Sequence, residues 1–465
     1  MFSSPCLDDV SNVQVNHPEK SFFAGRQLLS SELSQYSQIP SGYETITAVD
    51  QKNGKTTCRR CGNQQMSSFY SHTCAYCGKL STYCRRCLQL GRSDTCTLLY
   101  RWPAHASHVK QKVQLVWSGE LTAQQLYASE LISDTIDGGE KLTVWAVCGS
   151  GKTEMLFAGI AKALSEGKRV AIASPRSDVI RELAPRLRAV FPQVPMAALY
   201  AGTLDVVKDQ ALLLCTTHQL LRFFAAFDCI IIDEVDAFPY AMDDMLQFAV
   251  KQAAKPRCAI IYLTATPSQE MKQQIKQKKL AVVRIPARYH GKPLPEPTFQ
   301  RLLFGERHFQ QQRIPLGLKK RLNRWLDERR PVFLFVPTVK DVAAMVELVQ
   351  RITPKVAGVH AEDAERIEKV QAFRKQEIAV LVTTSILERG VTIPYVAVAV
   401  WQAHHAIFTE SALVQICGRV GRSIDDPLGD IVLFHEGLTK DMLAARSHIQ
   451  DMNHLAMNEK RGEGQ

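Results

Sequence analysis

The chain lacks a long apolar run: nowhere in its 465 residues do ~18 uninterrupted hydrophobic residues occur, the least a membrane helix needs. Its first ten residues, MFSSPCLDDV, lack a basic stretch followed by an apolar core, so no secretory leader is expected there. Composition is not extreme either. Hydrophobic residues make up 46% and charged residues 22%, which is ordinary for a globular protein and excludes disorder or a coiled coil as a description of the whole. A further absence is local: residues 51–92 contain no Asp or Glu. They hold eight basic residues, Lys52, Lys55, Arg59, Arg60, Lys79, Arg85, Arg86 and Arg92, which supply +8 of the formal net charge of +11. Phe69, Tyr70, Tyr76 and Tyr83 are interleaved with them. Basic residues mixed with aromatics favour contact with nucleic acid over a merely solvated face.

The cysteines concentrate in the same window. Of thirteen, seven lie between 58 and 96: Cys58, Cys61, Cys74, Cys77, Cys84, Cys87 and Cys96. Cys148, Cys215, Cys229 and Cys258 sit in apolar runs and read as small buried hydrophobes. With no leader expected, the cluster points to metal rather than to disulfides. It contains three C-x-x-C pairs, CRRC at 58–61, CAYC at 74–77 and CRRC at 84–87. A two-residue spacer lets both thiolates of a tight turn address one tetrahedral ion, so Zn²⁺ is expected. Metal binding would supply the folding energy that so small a segment cannot draw from a core, on the order of 10–16 kcal/mol. Glycines after Cys61 and Cys77 suit a knuckle turn and favour Cys58, Cys61, Cys74 and Cys77 as one ligand set. The seven cysteines with His72 also allow two ions.

At 465 residues about three domains are expected. Residues 1–50 are polar and carry no motif, and are expected to be partly disordered or helical. Residues 51–100 form the metal module. From about 110, β-branched runs alternate with helical stretches: LTVWAV (142–147), RVAIAS (169–174), LLLCTT (212–217), CIIIDE (229–234) and AIIYLTAT (259–266). Such runs read as buried parallel strands. Pro286, Pro293, Pro295 and Pro297 then exclude a helix interior and suggest an interdomain hinge. A second alternation follows with PVFLFVP (331–337), IAVLVTT (378–384) and VAVAVW (396–401). Two successive arrays imply two doubly wound α/β domains, over 110–298 and 299–465.

AVCGSGKTE (146–154) follows an apolar strand and precedes a helical run, the context that a phosphate loop requires. The loop comprises Ala146, Val147, Cys148, Gly149, Ser150, Gly151, Lys152 and Thr153, with Ala146 at the place of the usual first glycine. Gly149 and Gly151 let backbone N–H groups turn towards phosphate oxygens. Lys152 would reach the β and γ phosphates of ATP, and Thr153 would bind Mg²⁺. IIIDEVD (230–236) brings two carboxylates to the end of a strand, Asp233 for the Mg²⁺ shell and Glu234 to orient and deprotonate the attacking water. A nucleotide site alone would also suit a switch or a transporter ATPase. The second array argues otherwise, because QICGRVGR (415–422) offers Arg419 and Arg422, three apart and on one face if helical. Arginine fingers of this kind raise turnover roughly 10³–10⁵-fold.

With these motifs in order, the chain resembles superfamily 2 helicases over roughly residues 113–440. The resemblance implies that LTAQQ (121–125) is a glutamine motif with Gln125 reading adenine. It makes Arg176 of SPRSDV, Thr217 of TTHQLL and Thr384 of TTSILERGVTIP (383–394) contacts to a DNA strand. It makes Thr264 and Thr266 of TAT, with Gln415, the link between the ATP state and that grip. A nearer resemblance, over about residues 52–455, is to the ComFA family, ATPases of natural-competence DNA uptake in Gram-positive bacteria. It is carried by C-x-x-C-G…YCRRCL, WAVCGSGKTEMLF, ASPRSDVIRELAPRL, IIDEVDAFPY, PARYHGKPLPEP, ILERGVTIP and QICGRVGR. It implies a motor that uses ATP, Mg²⁺ and Zn²⁺ to pull single-stranded DNA through a membrane channel, in company with other competence proteins. Its place would be the cytoplasm, peripheral at the inner face of the membrane. It also implies one zinc on Cys58, Cys61, Cys84 and Cys87, with Cys74 and Cys77 as alternative ligands. Two other readings stay open: a duplex-unwinding repair or replication-restart helicase, and an ATPase whose zinc module is a protein-docking adaptor.

Overall fold

The computed structural model describes residues 20–75, 77–104, 110, 112–200, 211–385 and 393–462. Residues 1–19, Tyr76 and the 386–392 portion of the TTSILERGVTIP motif therefore lie outside the described residues. Seven strands precede residue 102: β1 (Gln27–Leu29), β2 (Glu44–Thr47), β3 (Val49–Lys52), β4 (Lys55–Cys58), β5 (Phe69–Thr73), β6 (Leu80–Cys84) and β7 (Leu98–Arg101). β7 pairs antiparallel with both β1 and β2, while β3–β4 and β5–β6 are hairpins. The N-terminal segment, expected to be partly disordered or helical, thus donates two strands to a sheet completed beyond the cysteines. Gly54 (φ 73°) turns the first hairpin.

The next seven strands are β8 (Lys141–Ala146), β9 (Val170–Ser174), β10 (Met196–Leu199), β11 (Leu212–Thr216), β12 (Phe227–Asp233), β13 (Ala254–Thr264) and β14 (Ala281–Ile285), in the sheet order β10-β11-β9-β12-β13-β8-β14. From β10 to β13 the pairing is parallel. The carboxyl ends of β9, β11, β12 and β13, at Ser174, Thr216, Asp233 and Thr264, therefore share one edge. The six-stranded sheet holds β15 (Thr298–Arg301), β16 (Val332–Phe335), β17 (Val356–Val359), β18 (Val380–Thr383), β19 (Ala397–Val400) and β20 (Ile431–His435), all parallel, in the order β15-β20-β19-β16-β18-β17. Alternate residues of its central strands bury to opposite faces. Phe333, Phe335, Val398 and Val400 enter one cluster, and Val332, Leu334, Ala397 and Ala399 enter the other. A sheet covered on both faces explains why its strands read as unbroken apolar runs. The two sheets make the chain a pair of RecA-like α/β domains with a cysteine-rich module ahead of them.

Two compact units result. The first comprises Met1–Thr143, Thr153–Leu263 and Gln269–Val282; the second comprises Val144–Lys152, Thr264–Ser268 and Val283–Gln465. In the first, the cysteine module is not an appendage. Val49, Cys58, Cys61, Cys84 and Cys87 share one core with Leu213, Phe227, Ile230, Leu246 and Val250 of the α/β sheet and its helix Asp244–Ala253. Gly62 approaches that helix so closely that a Cβ would fall 2.5 Å from the Phe248 ring. In the second unit, the proline-rich passage is fastened rather than free: Leu294 N donates to Asn453 Oδ1 (2.7 Å) and Asn453 Nδ2 donates to Leu294 O (3.0 Å).

Candidate nucleotide site and thiolate clusters

The buried strand β8 ends at Ala146, and the chain then turns through Gly149 (φ 81°) and Gly151 (φ 75°), a left-handed backbone that glycine takes without strain. Lys152 Nζ donates to Ala146 O at 3.1 Å, which folds the ammonium back over the loop. Thr153 opens the short 3₁₀ turn Glu154–Leu156 that leads into the helix Phe157–Ser165. At the end of β12, Asp233 is half-buried. Glu234 takes φ 58°, an unusual backbone for a non-glycine residue and one that concentrates at functional sites.

Inside the second unit the phosphate loop meets the arginine-bearing segment. Cys148 Sγ donates to Gln415 Oε1 at 3.0 Å, and a Cβ on Gly418 would fall 2.6 Å from Cys148 Cβ. Thr266 Oγ1 shares a hydrogen bond with Ser411 Oγ (2.7 Å), which ties the TAT segment to the helix Glu410–Cys417 that carries Gln415. Thr264 Oγ1 accepts from Thr266 N at 3.0 Å. The one-face expectation for the two arginines needs correction, because that helix ends at Cys417. Gly418 caps it where the chain abuts Cys148, so Arg419 and Arg422 lie on the following turns, with Gly421 at φ 69°. Arg419 is buried, and Arg422 Nε donates to Gly418 O at 2.9 Å.

The remaining expected residues are placed as follows. Gln125 is buried in the first turn of the helix Ala123–Gly138, where its Oε1 accepts from Thr122 N (2.8 Å) in a capping box. Arg176 is the half-buried residue before the helix Ser177–Val190. Thr384 is half-buried just past β18. Thr217 is fully buried behind half-buried Thr216, so a strand laid on this surface does not reach its hydroxyl in this structure. Sequence reasoning missed Arg288. It is buried in the second unit, donates through Nη1 to Gly421 O, and is lowered to about 10 by burial. Among the described residues its Nε and Nη2 have no hydrogen-bond partner, and its Cγ would lie 3.8 Å from a Cβ on Gly149. The signal was its place in PARYHGKPLPEP, a motif that carries the family resemblance but was given no role.

The cysteines form two separate groups. The sulfurs of Cys58, Cys61, Cys84 and Cys87, all buried, lie within 4.8 Å of one another, with Cys58–Cys87 at 3.5 Å and Cys61–Cys84 at 3.7 Å. Zinc bound at about 2.3 Å to four sulfurs spaces them about 3.8 Å apart, so this donor set fits a tetrahedral zinc. Gly62 N donates to Cys58 O (2.8 Å) and Cys58 N donates to Asn63 O (2.9 Å), and Asn63 Nδ2 donates to Cys84 Sγ (3.5 Å). Hydrogen bonds from Cys61 hold Cys58 below the ordinary thiol value, and those from Cys58 and Cys61 do the same for Cys84. The structure does not bring Cys74 and Cys77 to this group. Phe69 pairs with Cys84 and Thr73 with Leu80, about 14 Å apart at 3.4 Å per residue, and Cys74 lies just past that far end of the β5–β6 hairpin. There it joins Cys77 and Cys96.

Comparison with known proteins gives the following. Residues 12–101 match the competence protein ComFA N-terminal domain, residues 122–274 the DEAD/DEAH box helicase domain, and residues 317–423 the helicase conserved C-terminal domain. The chain is similar to competence protein ComFA of Bacillus subtilis (strain 168), 45% identical over 439 residues covering 93% of this chain and 94% of that protein. It is also similar to competence protein ComFA of Streptococcus pneumoniae (strain ATCC BAA-255 / R6), 38% identical over 435 residues covering 93% and 98%. Among solved structures, S. cerevisiae Dbp5 bound to RNA and ADP BeF3 shares the fold, with a TM-score of 0.53 and 15% identity over 71% of this chain and 91% of that one.

Proposed function

The chain belongs to the ComFA family of competence proteins and carries superfamily 2 ATPase domains, and on that premise we propose that it is a DNA-stimulated ATPase that drives single-stranded transforming DNA into the cytoplasm. The observation that carries this reading lies in the second unit, where Cys148 of the phosphate loop is hydrogen-bonded to Gln415 and the arginine segment abuts it at Gly418. Bound ATP with Mg²⁺ supplies the phosphoryl group whose hydrolysis drives the cycle. Lys152 and the loop N–H groups would hold the phosphates, Thr153 and Asp233 the metal, and Gln125 the base. Glu234 would take the proton of the attacking water, while Arg419 and Arg422 neutralise charge. The thread from Thr266 through Ser411 to the Gln415 helix gives nucleotide occupancy a route to Thr264 and the strand ends, where Arg176, Thr217 and Thr384 are the proposed DNA contacts. Burial of Thr217 then requires that its segment open for that contact. Four buried thiols at tetrahedral spacing support Zn²⁺ on Cys58, Cys61, Cys84 and Cys87. Among the described residues no helix is long and apolar enough to cross a membrane, so attachment at the inner membrane face would come through the uptake channel and other competence proteins.

The deciding measurement is ATPase rate with and without single-stranded DNA. Stimulation is expected, together with loss of at least about 10²-fold in Lys152→Ala and Glu234→Gln at unchanged thermal stability. Hydrolysis that persists in both variants, or that ignores DNA, refutes the assignment.

A further inference from the structure

Cys74, Cys77 and Cys96 have no place in the four-thiol group, yet their sulfurs lie within 4.8 Å of one another, with Cys77–Cys96 at 3.7 Å. That spacing is the edge of a tetrahedron around zinc, about 3.8 Å, and far from the roughly 2.05 Å of a disulfide. The local backbone repeats the first knuckle. Gly78 N donates to Cys74 O and Cys74 N donates to Lys79 O, both at 2.9 Å, just as Gly62 and Asn63 close the turn at Cys58. Gly78 (φ 67°) takes the same left-handed backbone as Gly62 (φ 72°). The third thiol arrives by strand pairing. Cys84 N donates to Ser93 O and Thr95 N donates to Thr82 O, so Ser93–Thr95 runs antiparallel beside β6 and carries Cys96 towards the hairpin end where the CAYC pair turns. Asp94 Oδ1 pins that return by accepting from both Cys96 N and Thr97 N at 2.8 Å.

We infer that Cys74, Cys77 and Cys96 form a second zinc site, one hairpin length from the first. It welds the outer end of the β5–β6 hairpin to the segment that leads into β7. His72, in β5 of the same hairpin, has its ring nitrogens outside that 4.8 Å group, so the described residues supply three protein ligands and leave the fourth position to water.

Elemental analysis of the full-length protein, purified with reductant and without chelator, tests this. Two zinc per chain are expected. Cys96→Ser should lose one, and Cys84→Ser should lose the other. A chelator should strip wild-type zinc in two phases, the faster absent from Cys96→Ser because Cys77 and Cys96 are only half-buried. One zinc per wild-type chain overturns the proposal without recourse to any variant. So does an unreduced thiol count two short, which would mean that Cys77 and Cys96 are oxidised to a disulfide.

Discussion

Glu32 holds two guanidinium groups at once. Its Oε2 lies 2.8 Å from Arg60 Nη2 and its Oε1 lies 2.6 Å from Arg222 Nε, while Arg60, with no side-chain exposure, also donates to Leu90 O at 2.8 Å. One carboxylate thus joins the N-terminal segment, the cysteine module and the α/β sheet. Removing a partner from a buried ion pair strands the other charge, so Glu32→Ala is expected to cost about 3–5 kcal/mol, read as a lower denaturant midpoint. A midpoint within about 1 kcal/mol of wild type would show that Arg60 is satisfied by carbonyls alone. The same residues revise the basic window. Lys52 and Arg59 pair with Asp50, Arg60 with Glu32, Arg86 with Asp243 and Arg92 with Asp94. All four acids lie outside 51–92, so the absence of acid from the window came from where its edges fell, and folding pairs five of the eight cations. Lys55, Lys79 and Arg85 are exposed. If the module touches single-stranded DNA, neutralising each of these should reduce the log–log salt slope of binding by about 0.7. An unchanged slope would favour the docking-adaptor reading.

At the scale of elements, the close approach of Gly418 to Cys148 leaves no room for a methyl group. Gly418→Ala must shift the phosphate loop or the arginine segment, an overpacking cost of about 1–3 kcal/mol. Turnover should fall roughly tenfold for each 1.4 kcal/mol that appears in the transition state. Full activity would mean that the two segments part freely. These elements differed in how plainly the sequence announced them. β8, β9, β11, β12, β13, β16, β18 and β19 were visible as β-branched runs because both faces of a parallel sheet are buried. β10, MAAL, and β17, VAGV, carry too little side chain to stand out. The end of the helix Glu410–Cys417, short of both arginines, was hidden because Gly418 there packs on a loop 270 residues earlier in the chain. Cys96 was visible as a potential ligand, but its partners were not: it lies outside any C-x-x-C pair, and only the strand return beside β6 carries it to Cys74 and Cys77.

At the scale of the whole chain, the four-thiol group is part of the first unit's hydrophobic core rather than of a separate finger. Metal there would stabilise more than the forty residues around it. Chelation is expected to expose the helix Asp244–Ala253 and the sheet beneath it to protease, whereas Cys74, Cys77 and Cys96 are not members of that core. Limited proteolysis after zinc removal should therefore cut within residues 211–263 in wild type, and in Cys96→Ser only when the remaining zinc is also withdrawn. Cuts confined to 49–101 would show that the sheet holds without metal. Sharing a core with the thiols also has a cellular consequence. A nascent chain that failed to acquire zinc would then present unfolded ATPase domain to the degradation machinery, so the abundance of the protein, and not merely its activity, would follow the supply of zinc in the cell.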